Sequence, residues 1–386
     1  MGERVTSEDS AARRLIPPWF ETAIRVTLTF FFLYLFLVGI KALENGISHF
    51  GSDAVDDIFG RVATPLAGLA AGILSTVLVQ SSSVTTATMV GLVGAGVLSF
   101  EAAVPMVMGA NIGTTVTATL AALGHVRQGA YFERAFATAT IHDYFNLLAV
   151  VVLLPLEVAF GVVSRVALVL ADLFDGILPE VDSSEGFVRR ALAAPVNMVA
   201  EALSSLGWEA ATGWVLLMAG LALLFFSLWM ITRQMKTVMS GRIESAINGI
   251  LAKGAGVGAL MVGMVVTVVV QSSSITTSIL VPLAAAGVLT LANAYPVTLG
   301  ANIGTTITAI LASVATNSPE AFAVAMAHLT FNVMGTLIFY PWAPLRRIPL
   351  RLATFTASIA VQRKSFVAAY VIGVFIILPL VLLFIA

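Results

Sequence analysis

Cysteine is absent from the 386-residue chain, which removes disulfide staples, thiolate metal centres and cysteine nucleophiles from consideration. Charge is scarce as well. Only 11% of residues are charged, against about a quarter in an ordinary soluble domain, while 59% are hydrophobic and the mean hydropathy is +0.98. Such a chain is a polytopic membrane protein. Twenty basic and 21 acidic residues leave a net charge of −1, so no global field draws nucleic acid, and charge is informative only through its placement. No Asn-x-Ser/Thr acceptor with a permissible middle residue occurs, and both absences fit a bacterial inner membrane.

What is present comes twice. Gln80-Ser81-Ser82-Ser83 recurs as Gln271-Ser272-Ser273-Ser274, and each copy is followed at the same distance by Gly-Ala-Asn-Ile-Gly-Thr-Thr, from Gly109 to Thr115 and from Gly300 to Thr306. An offset of 191 superposes Gln80 to Ala121 on Gln271 to Ala312 with most positions identical. After a five-residue deletion the offset becomes 186, and His142, Phe145, Asn146 and Pro155 fall on His328, Phe331, Asn332 and Pro341. Two long hydrophobic repeats are a transporter signature.

The expected fold is all-α and polytopic, with two inverted-topology repeats and one C-terminal helix. The arms flanking each Gln-Ser-Ser-Ser are shorter than the roughly 20 residues that cross a bilayer, so they read as a re-entrant hairpin with its polar tip near the midplane. Each repeat then holds one spanning helix, one hairpin, one helix interrupted at Gly/Asn and one His-Asn helix. The boundaries follow: 1–17 a cytoplasmic segment, 18–157 the first repeat, 158–209 an external or interfacial linker, 210–343 the second repeat, and 344–386 a cytoplasmic basic segment plus a transmembrane helix. The apolar stretch from Val162 to Leu173 in the linker is too short to span and is expected at the interface.

Three crossings per repeat invert the second repeat relative to the first, and the positive charges agree. With the N-terminus in the cytoplasm, fourteen lysines and arginines fall inside against five outside (Lys41, Arg61, Arg165, Arg189 and Arg190), with Arg25 left in the first helix; this is a positive-inside bias. Acidic runs at Asp53, Asp56 and Asp57, and at Asp172, Asp175, Glu180, Asp182 and Glu185, lie on the outer side of the same scheme. The two hairpin tips then enter from opposite faces and meet.

Backbone groups freed by an interrupted membrane helix are tolerated where they hold a ligand or line a cavity. At each tip the serines open a helix, whose N-terminal N–H groups and positive dipole end suit an anion. Several hydroxyls and N–H groups fit a tetrahedral oxyanion, each of whose oxygens must exchange hydration for hydrogen bonds. The candidate anion ligands are Gln80, Ser81, Ser82, Ser83, Gln271, Ser272, Ser273, Ser274, Asn111 and Asn302. Carbonyl, amide and hydroxyl oxygens suit Na⁺, and the candidate sodium ligands are Asp143, Asn146, Thr85, Thr114, Thr115, Thr276, Asn332, Thr305 and Thr306. None of these motifs holds a Lys or Arg, so a buried anion needs cations beside it, a physical reason for coupling. Asp143 is a carboxylate inside an apolar segment, which marks function; its repeat counterpart is Leu329.

The duplicated Gln-Ser-Ser-Ser, the two Gly-Ala-Asn-Ile-Gly-Thr segments and the run from Ala137 to Asn146 resemble the type II sodium-dependent phosphate cotransporter family. The resemblance implies an inner or plasma membrane symporter that is not an enzyme and needs no cofactor besides Na⁺ as coupling ion. Inorganic phosphate would be held by the serines of both tips, with Na⁺ bound beside them. In that family an acidic residue at the place of Asp143 goes with an additional Na⁺ and electrogenic transport, which implies three Na⁺ with one divalent phosphate. The lipid bilayer is the other expected partner, no nucleic acid is, and a homodimer is compatible with the reading. The competing readings are another small oxyanion such as sulfate or a carboxylate, a passive anion channel, and an intramembrane hydrolase using a serine with His142 and Asp143. The last lacks any Gly-x-Ser-x-Gly, and one nucleophile has no use for symmetric serine sets.

Overall fold

The computed structural model describes residues 17–49, 64–175, 187–239, 249, 256–316 and 318–386. The acidic and basic residues expected at positions 4, 13, 14, 53, 56, 57, 61, 180, 182, 185, 242 and 253 lie outside the described residues. The described elements are helical throughout. In chain order they are α1 (Pro18–Ser48), α2 (Pro65–Val79), α3 (Ser82–Gly94), α4 (Phe100–Thr114), α5 (Val116–Ala122), α6 (Ala130–Phe160), α7 (Val162–Asp175), α8 (Phe187–Ser205), α9 (Glu209–Met239), α10 (Val257–Val270), α11 (Ser273–Ala285), α12 (Leu291–Thr316), α13 (Pro319–Phe339), α14 (Ala343–Gln362), and a last helix in two pieces, α15 (Lys364–Ile372) and α16 (Leu378–Ile385). A π-helical turn, Gly373–Ile377, joins those two pieces.

Among the described residues, seven helical stretches are long and apolar enough to cross a membrane: Trp19–Ser48, Phe100–His125, Ala130–Phe160, Ala210–Met239, Leu291–Thr316, Pro319–Phe339 and Lys364–Ile385. An all-α polytopic fold accounts for them. Helices α2, α3, α10 and α11 are apolar but have only 15, 13, 14 and 13 residues. At 1.5 Å per residue the longest of these reaches about 22 Å, short of a hydrocarbon core of about 30 Å.

Glycine sets how the long elements meet. A Cβ at Gly39 would lie 2.9 Å from the Leu224 nitrogen, and one at Gly46 would lie 2.5 Å from the Leu217 nitrogen. Contact positions that descend in one helix as they ascend in the other make α1 and α9 antiparallel, although each opens its half of the chain. Within each half the first hairpin arm runs parallel to the long helix that follows. A Cβ at Gly109 would sit 2.0 Å from the Leu69 carbonyl oxygen, and one at Gly300 would sit 1.8 Å from that of Leu260. The glycines of the repeated motif are therefore contact points where two backbones touch, as small residues permit in membrane bundles.

One expectation changes. The second motif helix is not interrupted: α12 runs unbroken through Gly300 to Thr306. Its counterpart does slip once, between α4 and α5, where Thr115 bonds the Ile112 carbonyl instead of continuing the ladder. The described parts of the linker and of the basic segment contain helices packed on the repeats. Helix α7 packs on α13 of the other half and α14 packs on α6, so each half ends in a helix laid against its partner. Arg25 bonds Glu21 at 2.8 Å and Gln234 at 3.0 Å, a structural tie between α1 and α9.

Candidate functional site

Each Gln-Ser-Ser-Ser is a hairpin tip built the same way. Gln80 and Gln271 sit at φ 56° and 57°; they are the described non-glycine residues with positive φ, a conformation costing an L-residue about 1 kcal/mol or more. Each glutamine N–H closes the preceding helix on Thr76 or Thr267. The next serine is extended and caps the second arm: Ser81 Oγ accepts from the Val84 N–H at 3.3 Å, and Ser272 Oγ from the Ile275 N–H at 3.4 Å. The first serine of each tip thus serves its own helix as an N-cap. Ser82, Ser83 and Ser273 are buried, while Ser81, Ser272, Ser274 and Gln271 are half-buried and Gln80 is exposed. The first helical N–H groups, those of Ser82 and Ser83 and of Ser273 and Ser274, have no partner four residues back within their helix. That is donor chemistry suited to an anion.

The candidate threonines are turned to their own helices. The hydroxyls of Thr85, Thr114, Thr115, Thr276, Thr305 and Thr306 donate to carbonyls of Ser81, Ala110, Ile112, Ser272, Ala301 and Ile303, at 2.7 to 3.3 Å. A hydroxyl whose hydrogen is spent in this way keeps lone pairs only, which suits a cation rather than an anion.

Between the halves runs a buried amide chain. His142 Nε2 lies 2.6 Å from Asn302 Oδ1, Asn302 Nδ2 donates to Asn146 Oδ1 at 2.8 Å, and Asn146 Nδ2 donates to the Asn111 carbonyl at 2.6 Å. The Asn111 side chain itself donates to Val107, and that of Asn332 to His328, each one turn back on its own helix. His142, placed on an amide and with no serine in reach of its hydrogen bonds, is not arranged as the base of a nucleophile.

Asp143 stands apart. It is fully buried, and its Oδ2 accepts from Tyr370 Oη at 2.8 Å and from Thr119 Oγ1 at 3.2 Å; Oδ1 is buried without a hydrogen-bond partner. Thr119 aligns with Ile310 across the repeat and Tyr370 lies beyond both repeats, so this cluster has no mirror image. Tyr144, the next residue, hydrogen-bonds Thr356 of α14. No hydrogen bond among the described residues joins one tip to the other; each second arm instead packs on the opposite half, α3 on α12 and α13, and α11 on α5 and α6.

Sequence reasoning missed Tyr370, Thr119, Thr267 and Thr308. Thr267 donates to Thr276 and Thr308 to Gln271 Oε1, both at 2.9 Å, and both threonines repeat as Thr76 and Thr117, a signal that was open to reading. Tyr370 offered none beyond one hydroxyl in an apolar helix.

The family model for the Na⁺/Pi-cotransporter matches residues 35–177 and 223–378. The chain belongs to the Na⁺/Pi-cotransporter family. As a member it belongs to a class of transporters and not of enzymes, and Na⁺ is that family's coupling ion. Among its similar relatives, "Sodium-dependent phosphate transport protein 2A" of Ovis aries is 34% identical over 429 residues, covering 93% of this chain and 67% of that protein. The 2A protein of Rattus norvegicus is 33% identical, covering 92% and 67%, and the 2B protein of Homo sapiens is 31% identical, covering 94% and 65%. No solved structure matches significantly. The two stretches matched within this cotransporter family each contain one tip, one motif helix and one His-Asn helix.

Proposed function

We propose that the chain is a secondary active symporter that imports inorganic phosphate on the inward Na⁺ gradient, with access alternating around the two hairpin tips. The observation that carries the reading is the pair of tips: two left-handed glutamines, each opening a helix whose serine N–H groups lack partners four residues back, in a chain of a Na⁺/Pi-cotransporter family. Phosphate is assigned to Gln80 to Ser83, Gln271 to Ser274, Asn111 and Asn302. Sodium is assigned to Asp143, Asn146, Asn332 and the threonines whose hydroxyls present lone pairs. The antiparallel α1 and α9 favour inverted repeats, and with the positive-inside count they favour a cytoplasmic N-terminus. The repeat boundaries at 18–157 and 210–343 are kept for the transport core.

Asp143 supports an electrogenic cycle. A carboxylate with one oxygen held by Tyr370 and Thr119 and the other without partner is what a further cation would need, and three Na⁺ with one HPO₄²⁻ carry one net charge inward. Each 100 mV of membrane potential then contributes about 2.3 kcal/mol per cycle. The test is labelled phosphate uptake into vesicles holding the purified protein, with the Na⁺ gradient and the potential varied separately. Uptake that ignores Na⁺ sinks symport, uptake that needs Na⁺ but ignores potential sinks the electrogenic form, and equal competition by sulfate sinks phosphate selectivity.

A further inference from the structure

Among the buried polar atoms without partners are four, two in each repeat, whose repeat equivalents are satisfied. Thr76 Oγ1, Thr117 Oγ1, His328 Nε2 and Asn332 Oδ1 are buried with no hydrogen bond. Their repeat equivalents are Thr267, Thr308, His142 and Asn146, and the matching atoms are all engaged: Thr267 with Thr276, Thr308 with Gln271, His142 with Asn302, and Asn146 with Asn302. A buried unpaired polar atom costs about 1–3 kcal/mol, so four whose mirror atoms are paired need an explanation.

The asymmetry has a common centre. Every satisfied set ties α12 or its hairpin: Thr308 and Asn302 are on α12, and Thr267 and Gln271 are at the hairpin beside it. Every unsatisfied set would tie the equivalent helix, α4 with α5. That helix slips at Thr115 whereas α12 is continuous, and its hairpin glutamine, Gln80, is exposed while Gln271 is half-buried. The mirror partners are also idle. Asn111, the counterpart of Asn302, is bonded to its own helix at Val107, and Asn332 is bonded to His328.

We infer that Thr76, Thr117, His328 and Asn332 are positioning residues of the opposite-facing state, and that the two hydrogen-bond sets exchange during the cycle. When the halves trade conformations, as inverted repeats allow, Thr117 bonds Gln80 and Thr76 bonds Thr85. His328 then reaches Asn111, and Asn111 reaches Asn332, while the present set opens. Four unpaired atoms in one state become paired as four others lose their partners, so the two states stay close in free energy. A carrier needs that balance in order to turn over. The inference rests on the transport reading and names the groups that alternate within it.

The absence of cysteine allows a direct test with spin labels on matched lipid-side pairs, Leu78→Cys with Leu120→Cys for the first hairpin and Val269→Cys with Leu311→Cys for the second. None of these four residues belongs to the site. Distance distributions of the purified, membrane-embedded protein should differ between the two pairs. His142→Ala and His328→Ala should then shift the population ratio in opposite directions, by about fivefold each for one hydrogen bond. A residue needed only for folding does not shift two states with opposite sign. Thr308→Val and Thr117→Val should repeat the opposition if a histidine variant fails to fold. Shifts in the same direction, or none in either set, overturn the exchange. Phosphate uptake by the unlabelled parent is measured in parallel: uptake without opposed shifts defeats the exchange alone, and opposed shifts without uptake support the exchange while defeating the phosphate reading.

Discussion

Tyr370→Phe removes one hydroxyl and little else. The ring keeps its edge contact with Phe136 at 5.9 Å and its neighbours Phe366 and Tyr144, so the helix should stay docked. What goes is the 2.8 Å bond to Asp143 Oδ2, leaving Thr119 at 3.2 Å as the sole donor to that oxygen. A hydrogen bond to a charged group is worth about 1.5–3 kcal/mol. The bond also holds the carboxylate in place for its cation, and a free Asp143 side chain must be ordered when Na⁺ binds; about 1.4 kcal/mol, or tenfold, is the expected weakening of Na⁺ binding through that lost orientation. The assay is the Na⁺ activation curve of phosphate uptake: half-activation should rise about tenfold while half-saturation by phosphate at high Na⁺ stays within about twofold, these ratios following from the same conversion. Tyr144→Phe, which removes the bond to Thr356 one residue from Asp143, should leave both curves in place. An unchanged Na⁺ curve in Tyr370→Phe, or an equal loss in the two substrates, refutes the assignment of Tyr370 to the carboxylate's cation.

Asp143→Gly should abolish the dependence of uptake on membrane potential while leaving phosphate uptake itself; a persistent current in a voltage-clamped preparation would sink its role. Ser82→Ala and Ser273→Ala each delete a buried hydroxyl at a tip and should weaken phosphate half-saturation by about tenfold, for a bond worth about 1.5 kcal/mol, as read by uptake titration. Gly300→Ala places a methyl 1.8 Å from the Leu260 carbonyl oxygen; overpacking of this kind costs about 3 kcal/mol or more, so the melting temperature in detergent should fall, and an unshifted melt would mean the two helices separate freely. Arg134 donates twice to the Ala285 carbonyl at the end of α11, and Arg134→Met should cost about 1–2 kcal/mol in the same melt without altering Na⁺ activation.

The architecture was largely legible because repetition speaks through the primary sequence. The short arms around Gln80 and Gln271 predicted helices too short to span, and α2, α3, α10 and α11 have 15, 13, 14 and 13 residues. The role of the motif glycines was not legible, since Gly109 and Gly300 serve packing partners at Leu69 and Leu260 that lie far away in sequence. A glycine in a membrane segment reads equally as a hinge or a contact, and here contact won. The break expected at both motifs occurs at Thr115 and not at Thr306, although the seven motif letters are identical. Identical sequences in different local states cannot be distinguished by any local rule. Tyr370 was out of reach for a related reason, as its partner Asp143 is brought to it by folding of a helix outside either repeat.

The division between repeated and unrepeated residues also separates two physical tasks. Recognition of a phosphate needs many donors around one centre, and duplication of a tip supplies them in pairs at matched positions. Such a pair is neutral, so it can be presented to either face of the membrane without a change in buried charge. A net charge cannot be duplicated as cheaply, because two buried carboxylates would repel and each would need its own cation. Among the described residues one acidic side chain is buried, Asp143, at a position where the other half has Leu329, and it is held by Thr119 and Tyr370, which also have no mirror. Under the proposed function the symmetric part would alternate between nearly equal states, while the asymmetric part would set how much charge moves with each turn. On this argument, placing a second carboxylate with Leu329→Asp should not raise the coupling ratio. Without counterparts to Thr119 and Tyr370 the new carboxylate is buried and unpartnered, and the measurable outcome is lost folding or lost uptake rather than additional charge per phosphate.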